Sequence, residues 1–416
     1  MSDGLDEWLA LGRAEEPPSH AASNASASKK PSSRRIARPY LIVDTQECGH
    51  RVGPAHDIES IVVCCVARKT RSVRRITFGA LAASAMVLSA CGGSSKPKPS
   101  QTSSPSTSSP SSSVSSSTTP PKKPVPAALN PFTGGKPSPN PVVAVKVEDT
   151  QEARPQVGLN LADIVYIEQV EGGLTRLIAI FDTHLPSTVG PVRSTRNDDP
   201  EIMQQYGGVI YVASGGSKRE YIPLDASNLR QVIDDRGGPG FSRNDNRFAP
   251  HNLFADLALI AKVKKGPKAK SIGLVWSTKI VNPTAPGTVV NTEVGGTPVV
   301  FRWNSSEHRY DRYVGGSPDR LANGHDISTP NVIVQFVKGN VYALDIDPAG
   351  NPAWYQHTVG SGKVVVFRNG KRIVGTWNRK YAFQPTHLVD AHGAPIALAP
   401  GGAWFVLVNT GTALAS

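Results

Sequence analysis

The chain has 416 residues and carries 45 Lys and Arg against 33 Asp and Glu, a formal net charge of +12. The first 90 residues hold 12 of the basic and 9 of the acidic side chains, so the part from Cys91 onward keeps +9, a surplus that draws anionic partners without naming one. Cysteine occurs only as Cys48, Cys64, Cys65 and Cys91, which excludes internal disulfides and thiolate metal sites from everything beyond residue 91.

Residues 1–65 are rich in Ser, Ala, Pro and Arg, show no assignable periodicity and stay unassigned. Residues 66–90 read as an export signal. Arg68, Lys69, Arg71, Arg74 and Arg75 form a positive leader, and Ile76 to Leu88 is apolar and small but short for a bilayer span. Leu88-Ser89-Ala90-Cys91 follows at once. This resembles a bacterial lipoprotein signal with its lipobox, which implies cleavage before Cys91, a diacylglyceryl group on its sulfur and palmitate-type acyl chains in the membrane. Signals act at a free N-terminus, so translation is expected to start near Val63 or Val66, with residues 1–65 a gene-model extension. Residues 91–127 are mostly Ser, Thr, Pro, Gly and Lys; they cannot bury enough apolar surface to order themselves and read as an extended tether.

The globular remainder reads as an α+β fold: a mixed-sheet N-terminal domain with a few helices at 128–270, a β-rich C-terminal domain at 271–410, and a frayed tail at 411–416. Strands are predicted at Val142 to Val147, Asp163 to Val170, Leu174 to Asp182 and Gly208 to Ala213. Helices are predicted at Asp199 to Tyr206 and at Leu253 to Lys264, the latter with Asn252 as N-cap and a basic last turn. Further strands are expected at Ile272 to Trp276, Thr297 to Trp303, Asn331 to Val337, Val341 to Ile346, Lys363 to Arg368, Lys371 to Trp377 and Trp404 to Val408. Asn369-Gly370 signals a type I′ hairpin, and Gly339-Asn340 is expected to turn another pair.

The chemistry concentrates around the apolar run Leu177 to Phe181. Arg176, Arg193 and Arg196 flank it, and guanidinium groups gathered at strand ends suit bidentate recognition of phosphate or carboxylate. The backbone amides of the glycine turns at Gly172, Gly173, Gly215 and Gly216 could add an anion nest. Arg154, Glu171, Ser217, Arg247 and Asn252 complete the candidate binding set. The opposing reading pairs the arginines with Asp163, Glu168, Glu171 or Asp182 to fix a sheet edge. His251, with Arg247 and Asp245 near in sequence, is the one candidate catalytic residue, although a histidine beside a helix start is more often structural. Asp198, Asp199 and Glu201 suit the dipole of a helix start better than a metal, and the histidines show no zinc spacing, so neither metal nor cofactor is expected. Export to the cell surface argues against nucleic acid.

Taken together, Ala153-Arg154-Pro155-Gln156-Val157-Gly158-Leu159, Ala162 to Tyr166, Val170 to Arg176, Gly190-Pro191-Val192-Arg193-Ser194-Thr195-Arg196 and Ala249-Pro250-His251-Asn252-Leu253 resemble the YerB-like lipoproteins of Gram-positive bacteria. Val366 to Lys371 and Gly375-Thr376-Trp377 are similar to that family's second, β-rich domain. The resemblance covers nearly all of residues 130–410 and implies two domains on a surface lipoprotein at the extracytoplasmic face of the plasma membrane. It implies no activity. In one departure, Ile167 and then Glu168 follow Tyr166 where a glutamate is expected directly after the tyrosine.

Three functions remain open from the sequence. The first is an anchored protein binding an anionic envelope glycan or lipid through the arginines. The second is a hydrolase or transferase at a phosphoryl centre: the order of strand, Arg-Ser-Thr-Arg and Ala213-Ser214-Gly215-Gly216 is similar to that in LytR-CpsA-Psr phosphotransferases, without their arginine-aspartate signature. The third is a scaffold for other envelope proteins.

Overall fold

The computed structural model describes residues 128–416; the unassigned segment 1–65, the expected signal, Cys91 and the expected tether lie outside the described residues. The first half of the described chain supplies β1 (Val143–Glu148), β2 (Ile164–Gln169), β3 (Thr175–Phe181), α1 (Asp199–Met203), β4 (Ile210–Ala213), α2 (Lys218–Ala226), β5 (Arg230–Ile233), β6 (Phe241–Arg243), β7 (Leu253–Ala255) and α3 (Leu257–Val263). Every named element of the second half is a strand.

One mixed sheet joins both halves. Its order is His387–Asp390, Lys371–Arg379, Gly360–Arg368, Asn331–Ile346, Ala403–Asn409, β2, β3, β1, β4 and β5. The seam is the parallel pairing of Ala403–Asn409 with β2, so the last strand of the chain is a central strand between the halves. β1, β2 and β3 are buried along their whole length, which is why they read as continuous apolar runs instead of alternating ones. A small antiparallel sheet, Val289–Val294, Thr297–Asn304 and Arg309–Val314, packs Val290, Phe301 and Tyr310 into the core on the Val165, Ile167 and Trp404 face. On the opposite face Ile202, Met203 and Tyr206 pack against Ala144, Tyr166 and Ile178.

Side chains two apart on a strand share a face. Lys146 and Glu148 of β1, Glu168 of β2 and Arg176 of β3 therefore stand on the same face as Ala144, Tyr166 and Ile178. Glu148 and Glu168 each lie in register with Arg176. Since β1, β4 and β5 are parallel, the ends of all three, with the segments Ser214 to Ser217 and Asp234-Asp235, meet at this end of the sheet.

The structure corrects several expectations. Gly339 and Asn340 do not turn: Asn331–Ile346 is one strand of 16 residues, and Gly339 is needed because a Cβ there would lie 2.5 Å from both the Trp354 indole nitrogen and Asn409 Oδ1. Asn369 and Gly370 do turn, with φ of 51° and 67°. Leu253–Ala255 is a strand paired with β6, so the helix starts later and its N-cap is Asp256, whose side chain accepts from Leu259 N at 2.8 Å. The tail is not frayed. Ala415 and Asn291 exchange two backbone hydrogen bonds of 3.0 and 2.9 Å, and Thr292 Oγ1 donates to Ala413 O. Only Val275–Trp276 of the strand expected from Ile272 forms.

Candidate functional site

Glu148, which the sequence reading missed, is the hub. It ends β1 fully buried, and two guanidinium groups and an imidazole converge on it: His251 Nδ1 at 2.9 Å, Arg193 Nε at 3.3 Å and Arg176 Nη2 at 3.9 Å. Arg193 is brought there because its backbone N–H donates to Lys146 O, which splices the loop onto β1. One carboxylate thus serves two guanidinium groups and an imidazole. Arg176 lies farthest from that carboxylate, and the contact of Arg193 Nε with it is an ion pair without hydrogen-bond geometry. Arg176 Nη1 donates to its neighbour's carbonyl, Thr175 O, at 3.0 Å, and its Nε has no hydrogen-bond partner among the described residues. Burial, then the nearby Arg193 and Arg196, lower its pKa to about 10 against the pull of Glu148 and Glu171. The side chains of Arg193 and His251 remain 22% and 24% exposed, so solvent reaches part of each.

Arg196 differs from the other two. Nη2 and Nε pair with Glu171 at 2.6 and 2.8 Å and Nη1 with Glu220 at 3.1 Å, so two carboxylates meet its charge. Glu220 also closes a capping box with Ser217 at the start of α2. Burial pushes its carboxyl up to about 7 despite Arg196.

Beside Arg196 a cleft of about 460 Å³ is lined by Ser194, Ser214 to Ser217 and the carboxylates of Glu171, Glu220, Asp235, Asp345 and Asp347. This cleft is acidic. A Cβ on Gly215 would sit 2.5 Å from Asp235 Oδ2 and one on Gly216 3.2 Å from Glu220 Oε2, so carboxylates already crowd the turn proposed as an anion nest. Ser217 Oγ donates to Asp345 Oδ2 at 2.9 Å. Gly172 and Gly173 pack against Asn351 and Gly295.

The remaining candidates are structural ties. Arg154 bonds Asp149 at 2.8 Å and Asp319 at 3.2 Å, and Arg312 joins the same two acids, locking the loop after β1 to the small sheet. Arg247 donates to the carbonyls of Ala153 and Pro155. Asn252 Oδ1 accepts from Arg243 at 2.9 Å. Of the four acids proposed as arginine partners, Glu171 takes Arg196; Asp163 and Asp182 lie at the far end of their strands. Glu168 instead meets Lys146, which reaches across β3 and also pairs with Asp199 at 2.5 Å. Glu201 turns away from Asp198 and Asp199 to accept from Thr358 and Val359 backbone amides. At the far end of the sheet a larger hollow of about 640 Å³, lined by Lys136, Asp163, His184 and Arg309, holds none of the predicted site residues.

A mixed, β-rich sheet protein with a buried polar knot at the carboxyl ends of its parallel strands is the class that fold and site define. The chain belongs to the family described as "Protein of unknown function (DUF3048)": the model of its N-terminal domain matches residues 131–270 and that of its C-terminal domain residues 289–405. It is 29% identical over 250 residues to the protein named "Putative lipoprotein YerB" of Bacillus subtilis, covering 57% of this chain and 72% of that one. The crystal structure of the Bacillus subtilis YerB protein superposes with a TM-score of 0.58 at 24% identity, over 70% of this chain and all of that one, a likeness of fold.

Proposed function

We propose that the protein is an envelope lipoprotein, anchored through Cys91, whose globular part binds an anionic envelope ligand, phosphorylated or carboxylated, at Arg193, Arg176 and His251. The observation that carries this reading is the sharing of the single carboxylate of Glu148 by two guanidinium groups and an imidazole. A second anion beside Arg193 and His251 relieves the mutual repulsion of Arg176 and Arg193, and a planar guanidinium presents paired donors to phosphate or carboxylate. The acidic cleft near Arg196 repels such a ligand, so Arg196, Gly215, Gly216 and Ser217 support the site without forming it. In this reading the protein binds; His251 orients the anion and performs no proton transfer.

The test is equilibrium binding of the purified protein to phosphorylated and carboxylated envelope lipids and glycans, beside Arg193→Ala. The reading expects saturable binding by the parent that weakens about tenfold or more in the variant, the scale of a lost charge-assisted hydrogen bond. Equal affinity in the variant, or no binding by either, overturns it.

A further inference from the structure

We propose that Lys146 and Asp199 become joined by an intramolecular amide bond between Lys146 Nζ and Asp199 Cγ, formed with loss of one water and with Glu168 as the proton relay. The proposal rests on residues separate from the arginine site. Lys146, Glu168, Asp198 and Asp199 are all fully enclosed, so an amine, an electrophilic carboxyl and further acids share a space that bulk water does not enter. Nζ lies 2.5 Å from Asp199 Oδ1 and in direct contact with Glu168. The carboxylate of Asp199 is held for attack. Its Oδ2 accepts from Arg196 N at 2.7 Å, from Thr195 Oγ1 at 3.0 Å and from the Tyr211 hydroxyl. Three donors aimed at one carboxyl oxygen form an oxyanion hole for a tetrahedral intermediate. Glu168 is free for relay: apart from the Lys146 ammonium, neither of its oxygens has a polar partner among the described residues.

The atoms balance without a co-reactant. Glu168 takes one proton from the ammonium, and the amine lone pair attacks Asp199 Cγ. The C=O electron pair moves to Oδ2 under its three donors. Glu168 passes its proton, and then the second one from nitrogen, to Oδ1, which leaves as water while the carbonyl re-forms at Oδ2. Nitrogen keeps one hydrogen, and Glu168 is unchanged. Burial lowers the pKa of Lys146 against the opposing pull of Asp199 and Asp198, which favours the free amine. Condensation also removes two charges from a place where their desolvation is costly. Fixed proximity supplies the rest of the driving arrangement.

Residue 200 makes the test clean. Pro200 has no backbone N–H, so Asp199 cannot lose water by cyclising onto its own chain, and dehydration there requires another side chain as nucleophile. Peptide mass mapping of the full-length protein after incubation under native conditions is expected to recover the Lys146 and Asp199 peptides joined, lighter by one water than their sum. Fragmentation should place the bond between these two side chains. In Glu168→Gln, checked for folding by circular dichroism, joining is expected to slow about 100-fold or more. Separate, full-mass Lys146 and Asp199 peptides from the folded parent overturn the proposal, as does a bond from Lys146 to Asp198 or Glu168, or joining in Glu168→Gln at the parental rate.

Discussion

Replacing Glu148 by glutamine removes the one anion at the centre of the arginine site while keeping its volume. Arg193 Nε stands 3.3 Å from Glu148, a separation worth about 5 kcal/mol of attraction at an effective dielectric near 20. The net loss is smaller, because the charges also gave up hydration and because Arg193 and His251 are partly solvated. Arg176 is 5% exposed and cannot turn to water for compensation. Removing one partner of a buried pair typically costs 3–5 kcal/mol; with Arg193 and His251 partly exposed, about 2–4 kcal/mol is expected here. The assay is urea unfolding at neutral pH in low salt. A second expectation separates this electrostatic cause from a packing defect: added sulfate or phosphate should restore more stability to Glu148→Gln than to the parent, because the variant offers an uncompensated anion site. A loss below about 1 kcal/mol, or equal responses to the added anion, would refute the reasoning.

Three further substitutions test other parts of the structure. The carboxyl of Glu220 is raised to about 7, so the folded state holds its proton where the unfolded state has released it. Its contribution is present below the unfolded carboxylate range and fades as pH rises toward 7; the stability of the parent relative to Glu220→Gln should therefore fall by on the order of 1–3 kcal/mol between pH about 4 and about 7, and a pH-independent difference would exclude this. Gly339→Ala should destabilise by about 1–3 kcal/mol through overpacking against Trp354 and Asn409; thermal unfolding unchanged from the parent would contradict the tight crossing. Asp256→Ala should cost about 1 kcal/mol as a lost N-cap, and denaturant titration giving the full effect at Asn252→Ala instead would return the helix start to its sequence-based position.

The strands were legible where burial on both faces left uninterrupted apolar runs, as in Val143–Glu148 and Thr175–Phe181. The Asn369-Gly370 turn was legible because both residues take positive φ, which that pair of residue types favours. Gly339 misled for a steric reason: it is glycine to admit the Trp354 ring, and the same residue type marks turns. Leu253-Phe254-Ala255 suits helix and strand alike, and pairing with Phe241–Arg243 decides for strand. Helix α2 was missed because Pro223 lies inside it, although Ser217 and Glu220 stand at capping-box spacing. The continuity of one sheet through both halves was not legible, since the pairing of Ala403–Asn409 with Ile164–Gln169 joins segments more than two hundred residues apart. Within the site, the convergence of arginines was legible from their clustering, and so was Glu171 as a partner of Arg196, but Glu148 and Glu220 were not. Glu148 closes an apolar strand and carries no local signature; only the register that sets it opposite Arg176, and the loop that returns Arg193 to it, make it the hub.

The most direct test of the account compares two arginines of the same half that both meet carboxylates, in calorimetric titrations with one phosphorylated envelope ligand. Arg193 shares Glu148 with a second guanidinium group and an imidazole, whereas Arg154 is matched by Asp149 and Asp319 and by two backbone carbonyls. The account expects Arg193→Ala to stay folded and to lose about tenfold or more in affinity, while Arg154→Ala loses stability and, at temperatures where it is folded, binds like the parent. Equal losses of affinity from both, or none from Arg193→Ala, would contradict a ligand site centred on the over-subscribed carboxylate of Glu148.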